Sequence, residues 1–519
     1  MTNNFSKKNF IPEILIILFP IALISGPLIP ELFILTINLF FIYNLIQKKE
    51  INLFQNKIFY LLIFFISYVT FLSYISNYSD QIFIKNIFYF RFLLFVFSIY
   101  YFLNENPKIL KLIFYSLLIM FLVLIIDGFY QFFNGKNLIG IPKYRSDRIS
   151  SFFEDKLVLG SFISRYFFIF IGLFFIFKNK LNTFPILILI CFAFILILLT
   201  GERSALFLTI IGLFILFILL EFSLKFKFII LLSAISILII SLNLNSTLYD
   251  RYISQTKSQI SLDKDINIDN FFDRFKYYQL SWKTAYNGYK DNKFFGQGPK
   301  AFKYFCANPK LAVYQKKKSV IYNNVQYLVI HKKFINVEIT ELFFKVGDVV
   351  EKNQLLLKYK FKNKEYKFYS DKIGVIEHVT INKNQFVNTG HSIFVLDLSG
   401  YDIPEKTYFY KNGCTTHPHQ LYLQLMSETG IIGASYIFLI FLFISFLLIK
   451  HFIMKLFKRK TLYNNTKICL LTYFFLLLFP MTTFGNFFNN WFIMSFSLQL
   501  GLLIYFFIDY KNKKYKNSK

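Results

Sequence analysis

The sequence predicts an all-α polytopic membrane protein of about twelve transmembrane helices, with a small all-β insertion in one large outer loop. Three observations predict it. Apolar stretches of about twenty residues recur along most of the 519-residue chain, enough for each to cross a bilayer as a helix. Hydrophobic residues make up 55% and charged ones only 17%, which excludes both a soluble globular chain and a disordered one. Between 244 and 419 the long apolar stretches stop, and a polar segment that becomes strand-like takes their place. Four cysteines are too few for a disulfide scaffold.

The expected spans lie near 10–25, 28–46, 58–76, 84–103, 110–132, 157–177, 183–200, 204–221, 226–243, 420–449, 468–485 and 490–508. The first run, Phe10 to Ser25, is followed at once by a second, so it reads as a membrane helix rather than a cleaved signal. Lysines gather in alternate loops and at both ends: Lys7 and Lys8, Lys48, Lys49 and Lys57, Lys108 and Lys111, Lys178 and Lys180, Lys225 and Lys227, Lys450 to Lys460, and Lys511 to Lys514. By the positive-inside rule these loops and both termini are cytoplasmic. The opposite set, 77–83, 133–156, 200–203, 244–419 and 480–490, then faces the periplasm of a bacterial inner membrane. The net charge of +29 is accounted for by this orientation pattern. No basic stripe with interleaved aromatics follows a soluble fold, so nucleic-acid binding is rejected.

The arginines carry a separate signal. Of 58 Lys and Arg only eight are Arg, and only Arg459 is clearly cytoplasmic. Arg91, Arg145, Arg148, Arg165, Arg203, Arg251 and Arg274 lie in spans or on the outer side. A lysine-rich chain that uses Arg there has use for a planar, always-charged fork that grips phosphate or carboxylate. Arg145, Arg148 and Arg203 are the diphosphate-binding candidates, with Arg91 and Arg165 in support, since charge inside a membrane is costly and usually functional. The plainer reading pairs some of them with an acid such as Glu202 or Asp147.

The expected organisation is 1–243, helices one to nine; 244–318, a helical part of the outer loop; 319–400, the β insertion; 401–419, a return segment; and 420–519, helices ten to twelve with the tail. Within the insertion, Ile339 to Val350 aligns without a gap on Ile376 to Val387, and Leu356-Leu357 then falls on Ile393-Phe394. Two such halves, neither able to bury its apolar face alone, resemble the biotinyl/lipoyl barrel-sandwich hybrid. The hairpin Lys360-Phe361-Lys362-Asn363-Lys364-Glu365 lacks the small or Met neighbours that mark a modified carrier Lys. No covalent cofactor is therefore expected, and the insertion's partner is left open. Cys306 and Cys414 flank the insertion and are the disulfide candidates in an oxidising periplasm.

Chemistry concentrates just past the insertion. The chain has six His, and His417 and His419 are two of them, at the outer end of an expected span. Pro418 suits the start of a helix. His419 can act as a general base or as a cationic donor. Glu428 follows about two and a half helical turns later, on a roughly similar face. His-x-His with no clustered third and fourth ligand is a weak metal signal, so no metal is expected.

These residues resemble a known family. His419-Gln420-x-x-Leu423 with Glu428-x-Gly430 is similar to the signature of the O-antigen ligase/polymerase superfamily of bacterial membrane glycosyltransferases. Other segments resemble that family in order: Asp127-Gly128-Phe129-Tyr130-Gln131, Arg148-Ile149-Ser150-Ser151-Phe152-Phe153, Gly201-Glu202-Arg203-Ser204-Ala205, Gly296-Gln297-Gly298, and Pro480 with Phe487-Phe488-Asn489-Asn490-Trp491. The resemblance covers about 80 to 505 apart from the β insertion. Gln420 stands where the family commonly has Asn.

The resemblance implies transfer of a glycan from undecaprenyl diphosphate, at the periplasmic face, to a lipid A-core acceptor, without a metal and with inversion. It implies His419 as the base, with Gln420, His417 and Glu428 in support. A single dominant outer loop favours a ligase over a polymerase. A polymerase or protein O-oligosaccharyltransferase of the same superfamily stays open. So does the different class of a non-enzymatic scaffold or transport component that docks through the β module. The transporter version predicts internal repeats among the spans, and none is visible.

Overall fold

Among the described residues, seven helices are long and apolar enough to cross a membrane: Leu28–Lys48, Lys57–Ile75, Ser79–Glu105, Ile109–Asn134, Leu159–Phe177, Leu421–Phe457 and Asn490–Phe507. Four shorter apolar helices accompany them: Phe10–Ser25, Phe184–Leu199, Arg203–Leu219 and Asn465–Leu477. The structure is a computed structural model that describes residues 9–48, 54–145, 147–177, 183–221, scattered positions from 232 to 243, 245–259, 278–306, 308, 310–318, 325–329, 337–361, 364–379, 381, 383–387, 392–397, 408–412, 414–458, 460–480, 482–483 and 485–508. The expected span 226–243 lies largely outside them, as do Lys7, Lys8, Lys49, Lys178, Lys180, Lys225, Lys227, Arg274, Arg459 and the lysines from 511 to 514.

We number the principal helices α1 (Phe10–Ala22), α2 (Leu28–Lys48), α3 (Lys57–Ile75), α4 (Ser79–Ile87), α5 (Phe90–Glu105), α6 (Ile109–Asn134), α7 (Leu159–Phe177), α8 (Thr183–Leu199), α9 (Arg203–Leu219), α10 (Gln279–Asp291), α11 (Leu421–Lys458), α12 (Asn465–Leu477) and α13 (Asn490–Phe507). The span expected at 84–103 falls within the candidate span Ser79–Glu105, in which α4 and α5 meet around Phe88 and Tyr89. Where the sequence suggested 468–485, α12 stops at Leu477. The backbone beyond is held by side chains at the start of α11: Gln420, just before it, donates Nε2 to the Pro480 carbonyl at 2.8 Å, and Gln424 Oε1 accepts from Phe487 N at 3.0 Å. Irregular backbone packed inside a protein is tolerable when protein groups satisfy it in this way.

In the bundle, α7 packs on α12, α13 on α5, and α1 on α6. One continuous apolar core runs through them and is rich in buried Phe, including Phe92, Phe95, Phe102 and Phe114. Large apolar side chains such as Leu39, Phe64 and Phe443 stay exposed on α2, α3 and α11, which suits lipid as their solvent. At one end of the bundle Lys455 Nζ donates to the last carbonyls of α9, at Ile218, Leu219 and Leu220, and so caps that helix with a cation.

A second compact unit spans Tyr314–Asn412, and the expected insertion 319–400 falls within it. A ribbon pairs β1 (Tyr314–Lys318) with β10 (Tyr408–Asn412). The other strands are β2 (Val325–Val329), β3 (Val337–Leu342), β4 (Val349–Val350), β5 (Leu355–Phe361), β6 (Lys364–Tyr369), β7 (Gly374–Val379), β8 (Phe386–Val387) and β9 (Ser392–Asp397). They form two antiparallel sheets, ordered β2-β9-β7-β4 and β6-β5-β3-β8. The two repeats exchange short strands: β3 of the first pairs with β8 of the second, and β7 of the second with β4 of the first. Val337, Ile339, Leu357, Ile376, Phe394 and Leu396 from both sheets share one buried cluster.

Candidate functional site

A cavity of about 2380 Å³ opens at one end of the bundle. Its wall is built from the segments after α6, α8 and α12, which end there, and from the first residues of α7, α9, α11 and α13, which begin there. Such alternation is what a chain threading back and forth produces. The volume exceeds the range of about 300–1,000 Å³ usual for small-molecule sites. Part of the lining is apolar, with Val123, Phe168, Leu206, Phe207 and Ile210, and part is cationic. Lys85, Arg148, Lys156, Arg165, Arg203, Arg251, Lys300 and Lys303 line it, against the carboxylates Glu154 and Glu202.

The arginine wall is set by the tight turn between α8 and α9. Glu202 accepts hydrogen bonds from Gly160 N at 2.7 Å and Ser161 N at 3.1 Å, so its carboxylate sits on the start of α7, where the helix dipole favours negative charge. Arg148 lies 3.9 Å from Glu202 and donates to the carbonyls of Thr200 (3.3 Å) and Leu157 (3.1 Å). Burial pulls the Arg148 guanidinium below its ordinary range, against the Glu202 carboxylate, which favours the charge. Burial also raises the Glu202 carboxyl, against Arg148 and the two amides. Arg251 Nε donates to the Gly201 carbonyl at 3.0 Å, and Arg203 Nη1 to Thr256 Oγ1 at 3.0 Å.

The stretch that carries Arg148 is itself held by α6. Asp127 is fully buried; one carboxylate oxygen accepts from Leu138 N at 2.9 Å and the other from Ser151 Oγ. Gln131 Oε1 accepts from the amides of Ser150 (2.9 Å) and Ser151 (2.7 Å). Two segments noted separately in the sequence thus fold onto each other.

In the same cavity lining, His419 precedes α11 in the left-handed region, with φ 60°. Its ring is 4.1 Å from that of His417 and 5.4 Å from that of Tyr278, centre to centre. Among the described residues no hydrogen bond reaches the His419 imidazole, and burial lowers its pKa below 6.5. His417 Nδ1 lies 2.9 Å from Thr416 Oγ1. Gln420 Oε1 accepts from Leu423 N at 2.6 Å and caps α11. Gln420 therefore fixes the start of α11 and ties it to Pro480.

Glu428 does not line the cavity. Its carboxylate accepts from Phe302 N at 3.0 Å and Gln424 Nε2 at 3.0 Å. Around it, Gln297 N donates to the Ser427 carbonyl (2.8 Å), Gly298 N to the Glu428 carbonyl (2.9 Å) and Ile431 N to the Lys293 carbonyl (2.8 Å). α11 breaks at Gly430, with φ 65° and ψ −172°, to receive this turn.

Of the expected cations, Arg148, Arg165 and Arg203 line the cavity, and Arg145 and Arg91 do not. Arg145 is held in a two-pronged pair with Asp147, at 3.0 and 3.2 Å, with 44% of its side chain exposed against 13% for Arg148. Arg91 pairs with Glu31 and lies over the Phe92 ring. Arg165 lies 4.7 Å over the Phe492 ring. Arg251, Lys300, Tyr278 and Trp282 line the cavity without having been singled out as site residues from the sequence. The available signal for Lys300 was its place just after Gly296-Gln297-Gly298-Pro299. Cys306 and Cys414 are disulfide-bonded, with Cα atoms 5.0 Å apart. Among the described residues no three His, Cys, Asp or Glu side chains group as metal ligands.

A family model described as O-antigen ligase matches residues 186–328. No curated protein gives a significant match to the chain. The matched stretch runs from α8 through Glu202, Arg203, Arg251 and the turn that carries Lys300 into the first strands of the second unit, and leaves Arg148 and His419 outside.

Proposed function

We propose, from a chain whose match supports the O-antigen ligase superfamily, that it transfers a glycan from undecaprenyl diphosphate to a lipid A-core acceptor at the periplasmic face of the inner membrane. The family match by itself supports the broader statement, a multi-pass membrane glycosyltransferase of O-antigen ligase or polymerase type. The observation that carries the finer reading is one cavity in which an imidazole without a hydrogen bond among the described residues, His419, shares the lining with Arg148, Arg203, Arg251 and apolar side chains.

In this reading the polyprenyl chain lies along the apolar wall and the diphosphate meets the arginines. The acceptor hydroxyl gives its proton to the neutral His419 ring, and its oxygen attacks the anomeric carbon. The bond from that carbon to the phosphate oxygen breaks, and its electron pair leaves with the undecaprenyl diphosphate. Attack opposite the leaving group inverts the centre. Cations fixed before the reaction stabilise the charge that develops on the diphosphate, so the step runs without a metal. Arg145 acts at one remove by holding Asp147, which lies 3.9 Å from Arg251. Glu428, Gln420 and His417 position the base, and Arg165 and Arg91 support the cationic side. We further propose that the Tyr314–Asn412 unit is a barrel-sandwich module accessory to this chemistry.

The test is purified protein with undecaprenyl-diphosphate glycan and lipid A-core in EDTA. The expected product is glycan on lipid A-core with inverted linkage. Lengthening of the donor glycan instead identifies a polymerase, and an absence of any transfer favours a scaffold.

A further inference from the structure

The cavity carries a second group of cations that the proposed chemistry leaves unused. Lys85, Lys300 and Lys303 line it near Asn490. They come from α4, from the turn after Gly298 and from the short helix Phe302–Phe305. Lys300 sits in the left-handed region, φ 67°, its Nζ donating to Asn490 Oδ1 at 3.0 Å and lying 4.6 Å from the centre of the Tyr89 ring. Lys303 lies 4.8 Å over the Tyr304 ring. Burial alone would raise the Tyr304 phenol, yet hydrogen bonds from Lys303 and Lys85 hold it below its ordinary range. The three lysines are therefore gathered in one place.

The arginine wall has Glu202 and Asp147 within 3.9 Å of its guanidinium groups. Among the described residues, no ion pair joins Lys85, Lys300 or Lys303 to a carboxylate; the acid that acts on Lys300, Glu428, is buried outside the cavity lining and accepts from the Phe302 amide and Gln424 Nε2. Burial, and then the nearby Arg91, push Lys300 down to about 8. Like charges gathered in a cavity wall repel, and a bound anion relieves that repulsion. The two groups also come from different elements: the lysines from α4 and the turn and short helix after Gly298, the arginines from the stretch before α7, the start of α9 and the segment at 250–254. The turn bearing Lys300 is gripped by Ser427 and Glu428, about two helical turns along α11 from His419.

We infer that Lys85, Lys300 and Lys303 form a second anion subsite, which holds a phosphate monoester of the acceptor glycolipid while the arginines hold the donor diphosphate. The inference rests on the transfer reaction proposed above. It explains why one cavity needs two cationic walls: donor and acceptor each bring an anion, and each must be registered for the acceptor hydroxyl to meet the anomeric carbon.

The experiment uses full-length protein in nanodiscs and a Lys85→Gln/Lys303→Gln double variant. Both side chains are exposed, and Lys300 stays in place to preserve its turn. KM is measured for lipid A-core with its phosphates, for the same acceptor after dephosphorylation, and for the donor. The expected result is a KM raised about ten-fold for the phosphorylated acceptor only, the size of effect for two partly screened charge contacts. A rise confined to the donor, or no rise at all, overturns the inference. Binding of the two acceptors to His419→Ala protein reads the subsite without turnover. Preference for the phosphorylated form supports the subsite even if wild-type protein transfers nothing, a result that would count against the reaction alone. Equal binding of both forms overturns the subsite even if transfer is normal.

Discussion

The Glu428 carboxylate accepts the backbone N–H of Phe302 at 3.0 Å, across 126 residues of chain. Through this contact the break in α11 and the glycine turn of the outer loop become one piece of structure. One side of that piece carries Lys300, and the other leads back along α11 to His419. Both cavity walls in this region depend on a buried acid that does not itself face the cavity.

Glu428→Ala leaves the Phe302 amide without its acceptor and takes one of two acceptors from Gln424 Nε2, which keeps Asn486 Oδ1. Thermal unfolding in detergent is expected to show a loss of about 1–3 kcal/mol, the usual cost of an orphaned buried donor. Transfer falls with it. An unchanged unfolding midpoint together with lost transfer would make Glu428 a participant in the chemistry.

Gly430→Ala tests the same joint from the backbone side. The residue has φ 65°, and a Cβ there would press on the Phe294 carbonyl; one at Gly296 would come within 2.6 Å of the Glu428 carbonyl carbon. The expected outcome is a protein that does not accumulate in membranes, read by immunoblot. Accumulation at the wild-type level contradicts this account of the turn.

Arg145 and Arg148 separate a surface pair from a cavity cation. Arg145→Ala removes an exposed pair and is expected to change kcat by less than about three-fold. Arg148→Ala removes a fixed charge from the proposed diphosphate site and is expected to lower kcat about 10²–10³-fold. The assay is glycan transfer at matched protein level. Equal effects of the two substitutions refute the assignment of the cavity wall.

That pair also shows how far the sequence could be read. Arg145 and Arg148 are alike in the chain: both outer-side, both in a lysine-rich protein that avoids Arg elsewhere. Only the fold shows that Asp147 captures one while the other turns to the cavity. The segments Asp127–Gln131 and Arg148–Phe153 were each legible because they resemble segments of the O-antigen ligase superfamily. Their mutual hydrogen bonds were not, since a buried acceptor carries no mark of its distant donor. Lys300 stayed hidden for a different reason: one lysine among so many is no signal until its left-handed backbone and its neighbours are known. At Leu477 the apolar pattern runs on although the helix stops, because Gln420 and Gln424 satisfy the freed backbone from another helix.

The pH dependence follows from His419. Burial places its imidazole below 6.5, and a base acts in its neutral form. kcat/KM is therefore flat through neutrality and falls only as pH drops through the lowered value, so the acid limb lies below pH 6.5. An acid limb above 6.5 would assign it to another group.

Single-turnover transfer by His419→Ala, with and without added imidazole, tests the central claim most directly. The account predicts a rate lowered by about 10²–10⁴-fold at an unchanged unfolding midpoint, partly restored by imidazole. Transfer at the wild-type rate without imidazole would contradict it.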